Sequence, residues 1–359
     1  MYAALRKLLF SLDPERAHEL VKTASFLTPK NLLKLSCQNR APELKTALGE
    51  TRLTSPIGLA AGFDKNGELL PLLQALGFGF LELGSVTALA SLGNPKPRIF
   101  RLPTDSSMIN RMGLPNWGAD KFAVHLAKQK LTTPIGINIA KTPGSKNGID
   151  DFATSFRKLH HLGCYSVFNL SCPNTTDGKT FEDPALFAEF ATKLVQLRQE
   201  LKVTKPLLIK LSPDTDAKAV RKIVEFAVKQ GFDGFVVSNT TATRSGLATN
   251  SAAIEKIGRG GLSGKALLLL ANQQLKTVHE IVGNKKILIG VGGIMNLNDL
   301  LTKFSAGAQL VQIYTGFIYG GPFFVRELNR GLAKLCHKHG LKSYRELIGN
   351  AETVRLQLA

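Results

Sequence analysis

The chain has few cysteines, one tryptophan, a shortage of acidic residues and no long apolar run. Its four cysteines, Cys37, Cys164, Cys172 and Cys336, fall in no CxxC or metal-ligand spacing. That excludes a disulfide scaffold, gives no metal motif and fits a reducing compartment. No stretch of about 18 uninterrupted apolar residues is present to span a bilayer. The most apolar segments, 206–211 (PLLIKL) and 286–291 (KILIGV), are only strand-length. Residues 1–12 (MYAALRKLLFSL) lack the apolar centre and cleavage site of a secretory signal, and no Arg- and Ser-rich presequence is seen. A bacterial, non-secreted protein is therefore expected. Acidic residues number 27 against 46 Lys and Arg, a formal +19 over 359 residues. Such an excess suits nucleic acid, an anionic membrane or anionic small ligands. The basic residues are scattered, with no run of three and no basic tail, which argues against a nucleic-acid arm. A hydrophobic content of 44% excludes disorder.

What is present is regular. Leu5, Leu8, Leu9 and Leu12 recur at helical spacing, with Arg6 and Lys7 on other faces. Asp13-Pro14 reads as an N-cap and first helical residue, opening a second helix that carries Ala17, Leu20, Val21, Ala24 and Leu27. Two short amphipathic helices over 1–40 could pack on a larger domain, lie in a membrane interface or line an apolar mouth. Packing is the commonest use of such stripes. From residue 56 onward, strand-like apolar runs occur at 57–61, 79–84, 134–139, 165–170, 206–211, 233–238, 286–291 and 309–313. Helical segments are expected at 66–76, 119–130, 151–162, 184–201, 216–230, 265–282, 297–305 and 322–339. Eight strands alternating with eight helices predict an α/β fold, a (β/α)8 TIM barrel over 41–339 with a helical extension before it and a polar tail over 340–359. An open doubly wound sheet competes, but no GxGxxG follows the first strand. Two long excursions, 85–118 and 239–264, are rich in Gly, Pro, Asn, Ser and Thr, as functional loops are.

Polar residues close strand after strand: Asp64-Lys65-Asn66, Ser85, Asn138, Asn169 to Asn174, Ser238-Asn239-Thr240, Gly292-Gly293 and Tyr314-Thr315. In a barrel these ends meet on one face, where active sites are built. One such asparagine is ordinarily a turn residue; a full ring of them indicates a site. Lys210 interrupts an apolar strand, and with Lys65 it predicts a pocket that holds negative charge. The segments 258–264 (GRGGLSG) and 290–293 (GVGG), followed by Tyr314-Thr315-Gly316, suit a phosphate cradle of backbone N–H groups. Cys172, in 169–174 (NLSCPN), is the candidate for chemistry. None of the 7 histidines falls at another strand end to activate it as a nucleophile, so proton abstraction is the expected role.

These residues carry a resemblance. The segments GLAAGFDKNGE (58–68), GNPKPRIFR (93–101), INRMGLPN (109–116), NLSCPNT (169–175), SNTT (238–241), GGLSG (260–264), GVGGI (290–294) and VQIYTG (311–316) are similar to those of dihydroorotate dehydrogenases. LFSLDPERAHEL (9–20) resembles the extension of the quinone-dependent, membrane-associated class 2. The likeness runs over roughly 1–335, with the motifs in order. It implies oxidation of dihydroorotate to orotate in pyrimidine synthesis, with FMN as cofactor and a quinone as acceptor. It further implies FMN contacts at Ala61, Gly62, Lys65, Ser85, Asn138, Asn169, Lys210, Ser238, Gly264, Gly293, Tyr314 and Thr315. Orotate would be held by Lys65, Asn110, Asn169, Asn174, Asn239 and Thr240, with the backbone of Asn110, Arg111, Met112, Gly113 and Leu114 alongside. Cys172 would be the base. A monomer, peripheral on the cytoplasmic side of a bacterial membrane and without nucleic acid, is implied as well.

Two positions depart from class 2. Cys172 stands where class 2 members place serine, and Leu114 where many have phenylalanine. Cysteine at the base position is typical of class 1, so a class 1-like enzyme using fumarate or NAD is the alternative. A thiol ionises far more readily than a hydroxyl and needs less help to take a proton. A non-catalytic basic barrel that binds nucleic acid is the reading outside enzymes; it predicts a colourless protein, whereas a flavoprotein is yellow.

Overall fold

Eight short parallel strands close into a barrel, in the order in which the chain supplies them. The computed structural model describes residues 2–170 and 181–350. Three helices come first, α1 (Tyr2–Ser11), α2 (Pro14–Ser25) and α3 (Lys30–Cys37). A hairpin of β1 (Thr46–Leu48) and β2 (Thr51–Leu53) follows, then β3 (Ile57–Leu59), α4 (Leu70–Leu73) and β4 (Phe80–Val86). An excursion carries β5 (Ile99–Leu102) and β6 (Ser107–Asn110). The alternation resumes with α5 (Ala119–Ala127), β7 (Ile135–Ile139), α6 (Gly148–Leu159) and β8 (Tyr165–Asn169). It continues through α7 (Pro184–Glu200), β9 (Leu207–Leu211), α8 (Ala217–Gln230) and β10 (Gly234–Val237). A second excursion holds α9 (Ser251–Ile257) and β11 (Gly261–Gly264). The chain then runs through α10 (Leu268–Val282), β12 (Ile287–Val291), α11 (Leu297–Ser305), β13 (Leu310–Ile313), α12 (Thr315–Gly320) and α13 (Phe324–Lys338). All eight expected barrel strands are present in order, so the open-sheet reading falls.

The strand sequences are apolar on both faces, and the alternation sorts them. Ile57, Leu81, Leu83, Ile137, Phe168, Ile209, Phe235 and Val311 face outward into the layer between barrel and helices. Ala60, Phe80, Tyr165, Val167, Leu208, Val236, Ile289 and Leu310 face inward and pack with Leu48 and Leu53 of the β1–β2 hairpin, which plugs the lower end. The same alternation turns Glu82, Asn138, Asn169, Lys210 and Gln312 into the barrel.

Three departures from the sequence reading have physical causes. The helix expected over 66–76 shrinks to α4, because the buried Asp64 carboxylate takes the amide protons of Glu68 and Leu69, both at 2.9 Å, and holds a turn there. The two excursions are not bare loops: β11, β6 and β5 form an antiparallel sheet beside the barrel mouth, stapled by Asp105 to the amides of Ala248 and Thr249. In the extension Asp13 does cap α2, but a third helix follows, and most of the leucine stripe is exposed, with Ala17 buried. Leu8, Leu27, Leu32 and Leu35 are 62%, 89%, 67% and 63% exposed. The part facing the barrel mixes polar and apolar contacts: Tyr2 and Arg6 bond to the carbonyls of Ile318 and Tyr319, and the Phe10 ring meets Tyr319 edge-on. Beyond α13, Tyr344 and Leu347 are buried against the helical layer.

Candidate active site

The carboxyl ends of the barrel strands and the β5–β6–β11 sheet enclose one cleft. Of the expected residues, Ala61, Gly62, Lys65, Ser85, Asn110, Met112, Gly113, Leu114, Asn169 and Lys210 line it. So do Ser238, Asn239, Thr240, Gly264, Gly293, Tyr314 and Thr315. Two do not reach it. The Arg111 guanidinium turns away to stack on Phe100 and bond to the carbonyls of Ile257 and Pro97, so only its backbone stays with the loop. Asn138 lies one layer below the cleft floor. Cys172 and Asn174 lie outside the described residues.

Lys65 follows β3, and its ammonium donates to the Gly62 carbonyl at 2.6 Å. Burial, and then the neighbouring Arg98 charge, bring it down to about 8. The same carbonyl accepts from the Tyr314 hydroxyl at 3.3 Å, whose phenol burial pushes up to about 12. Lys210, in the middle of the site, is only 5% exposed. Across the floor, Asn239 Nδ2 donates to Asn169 Oδ1 at 3.2 Å, and Asn169 Nδ2 to Ser85 Oγ at 3.4 Å. The Ser85 hydroxyl donates to Asn138 Oδ1 at 2.5 Å.

The Gly-rich segments meet in the cleft at the ends of β11, β12 and β13. Gly264 has φ +96, and a Cβ there would sit 2.5 Å from the Ser106 carbonyl oxygen; Gly293 has φ +86, with Leu268 Cβ 2.4 Å from the same position. Neither site tolerates a side chain, so their backbone can approach a phosphate closely. Thr315 and Ser263 pair their hydroxyls at 2.8 Å beside them. Behind the cradle, fully buried Lys303 on α11 bonds to the Val291 carbonyl at 3.1 Å and fixes the end of β12.

Sequence reasoning missed Gln312, which lines the cleft from β13. Its Nε2 donates to Glu82 at 2.6 Å, while its buried Oε1 has no partner among the described residues. An orphaned acceptor of this kind costs about 1–3 kcal/mol unless a ligand donates to it. With two lysines and a glycine cradle around it, the cleft fits a ring system with N–H donors and a phosphate, as a flavin nucleotide has.

Arg98 and Arg101 fasten the extension to this site. Arg98, largely buried, forks onto Glu15 of α2 at 2.9 Å and holds the Leu92 and Asn94 carbonyls. Arg101 bonds to the Leu12 carbonyl at 2.7 Å and lies over the Phe10 ring. His18 of α2 stacks edge-on against Phe63, which stacks on Tyr314. Burial, then the Lys65 charge, lower the imidazole to about 4, so it is neutral at physiological pH.

Comparison with known proteins agrees with this geometry. The family model described as dihydroorotate dehydrogenase matches residues 43–336. A relative from Mycolicibacterium vanbaalenii, named dihydroorotate dehydrogenase (quinone), is 38% identical over 98% of this chain and 99% of its own length. One of the same name from Mycobacterium tuberculosis is 38% identical over 98% of both chains. Among solved structures, DHODH from Eimeria tenella in complex with ferulenol matches with a TM-score of 0.84 and 30% identity, covering 94% of this chain and 95% of that one.

Proposed function

This chain belongs to the dihydroorotate dehydrogenase family and is a quinone-dependent, flavin-using member of it, and from that premise we propose how its own residues divide the work. The flavin would be FMN, with the Gly264, Gly293 and Thr315 backbone to hold its phosphate and Ala61, Gly62, Ser85, Lys210 and Ser238 to hold its ring. Bound there, FMN would supply the two-electron acceptor for hydride from C6 of dihydroorotate and the electron donor for quinone. The substrate ring lies between Lys65 and the amides of Asn110, Asn169 and Asn239, with Thr240 and the 110–114 backbone alongside. Asn174 completes this set. Lys65 and Lys210 offset the negative charge that collects on orotate and the reduced ring. Cys172 removes the proton at C5.

The observation that carries this reading is the cleft itself: two lysines, three asparagines, a glutamine oxygen without a partner among the described residues and a side-chain-free cradle on one barrel face. Quinone reaches it between the α1–α3 helices, past His18 and Phe63 towards Tyr314. The exposed leucines of those helices suit peripheral docking on the cytoplasmic face of a bacterial membrane, with the protein a monomer. No helix among the described residues is long and apolar enough to cross a membrane.

Cys172→Ala tests the base. The variant is expected to keep its yellow colour and to lose rapid flavin bleaching by dihydroorotate, by a factor of about 10²–10⁴. Near-normal bleaching would remove Cys172 from the mechanism.

A further inference from the structure

Glu82 is a buried acid inside the barrel that the proposed reaction does not use. It lies in the centre of β4, is 0% exposed and points inward between Phe80 and Gly84. Its Oε1 accepts from Asn138 Nδ2 at 2.7 Å, and its Oε2 from Gln312 Nε2 at 2.6 Å and the Tyr165 hydroxyl at 3.2 Å. These partners are all neutral donors. Burial, and then the Glu82 charge, raise the Tyr165 phenol well above its ordinary value, so it stays protonated and donating. Burying a carboxylate among neutral groups is expensive unless its oxygens take hydrogen bonds, and here three donors reach them.

Both Glu82 oxygens accept, and that fixes every group above them. Asn138 must turn its NH2 to Glu82, so its oxygen faces Ser85. The Ser85 hydroxyl has one proton and gives it to Asn138 at 2.5 Å, leaving its oxygen to accept from the Asn169 NH2. The Asn169 oxygen is thereby turned to Asn239, which donates to it at 3.2 Å. Four hydrogen bonds thus run in one direction, from the cleft down to one carboxylate. A fifth contact does the same for Gln312: with Nε2 committed to Glu82, its Oε1 is left as the acceptor.

We propose that Glu82 is a positioning residue that sets the donor–acceptor polarity of the cleft floor, through Asn138, Ser85 and Asn169 on one arm and Gln312 on the other. An amide in its place could donate to Asn138. Asn138 would then flip, and Ser85, Asn169 and Asn239 would present the opposite atoms to a ring of fixed N–H and C=O pattern. The inference rests on the cleft being the flavin and orotate site.

The test uses flavin-loaded protein and two readouts, orotate affinity from the visible spectrum of the bound flavin and the flavin midpoint potential. Glu82→Gln is nearly isosteric; it is expected to weaken orotate binding about tenfold. Its potential is expected to move positive, because a buried negative charge near the electron acceptor has gone. The double variant Glu82→Gln/Asn138→Asp moves the carboxylate up one step. The glutamine now donates to it from below and Ser85 from above, so the polarity of Ser85, Asn169 and Asn239 is restored. Orotate affinity and potential should return towards the wild-type values. Loss of polarity predicts this rescue, whereas a packing role predicts that two changes do more harm than one. Single-variant affinity and potential equal to wild type, or a double variant no better than the single, would overturn the proposal. If Glu82→Gln alone fails to hold flavin, the double variant decides by the same criterion. Wild-type protein that fails to bind orotate would instead refute the assignment of the cleft.

Discussion

Lys65 couples the site to pH. Its ammonium, brought down to about 8 by burial and by Arg98, is charged at neutral pH and loses its proton in the mildly alkaline range. A carboxylate ligand binds the protonated form, so above that pH binding must first recover a proton. Orotate affinity is therefore expected to hold up to neutrality and to fall as pH rises through about 8. Lys65→Met should weaken binding at neutral pH by on the order of tenfold or more and flatten that fall. Titration of wild type and variant across the range checks it, and a fall that persists in Lys65→Met would contradict the assignment. Both lysines were legible in the sequence: one sits at a strand end, and the other breaks an apolar strand. Glu82 in GFLELG and Gln312 in QLVQI break their strands in the same way and could have been read by the same logic. Their partners could not, because the contacts join residues as far apart as Glu82 and Gln312. Asn138 shows the opposite limit: a strand-end asparagine fits a ligand contact and a floor beam equally well, and its hydrogen bonds to Ser85 and Glu82 are visible only in the fold.

At the scale of elements, the barrel strands were the plainest feature, since strands covered on both faces must be apolar throughout. The β5, β6 and β11 strands, four residues each, are too short for any period to show, and their pairing depends on two excursions meeting. The leucine stripes of 1–40 were legible as helices but not as to which way they face. Leu8 and Leu27 of the stripes, with Leu35 of α3, are exposed, whereas Ala17 of the second stripe is buried and Arg6 and Glu15 are turned to the protein. Serine at Leu8, Leu27 and Leu35 together should change stability little, within about 0.5 kcal/mol per site. Sedimentation with phospholipid vesicles should fall, and so should turnover with a long-tailed quinone, while flavin reduction by dihydroorotate stays unchanged. Vesicle binding equal to wild type would show that these leucines do not dock on lipid.

Over the whole molecule, the formal +19 has a partial explanation. Lys65 and Lys210 line the cleft proposed to hold anionic ligands. Most of the excess is spread over the surface, where it favours anionic partners without choosing among them. The reaction is specified instead by convergence. Strands far apart in sequence bring their carboxyl ends to one face, and each contributes one or two groups to a single cleft. The central claim is that electrons pass from dihydroorotate through the bound flavin to quinone. Anaerobic mixing of the purified protein with dihydroorotate, followed by addition of one acceptor at a time, tests it most directly. Dihydroorotate is expected to bleach the flavin absorbance, and quinone to restore it rapidly, whereas fumarate and NAD should not. A flavin that dihydroorotate leaves oxidised, or that fumarate or NAD reoxidises in preference to quinone, would contradict it.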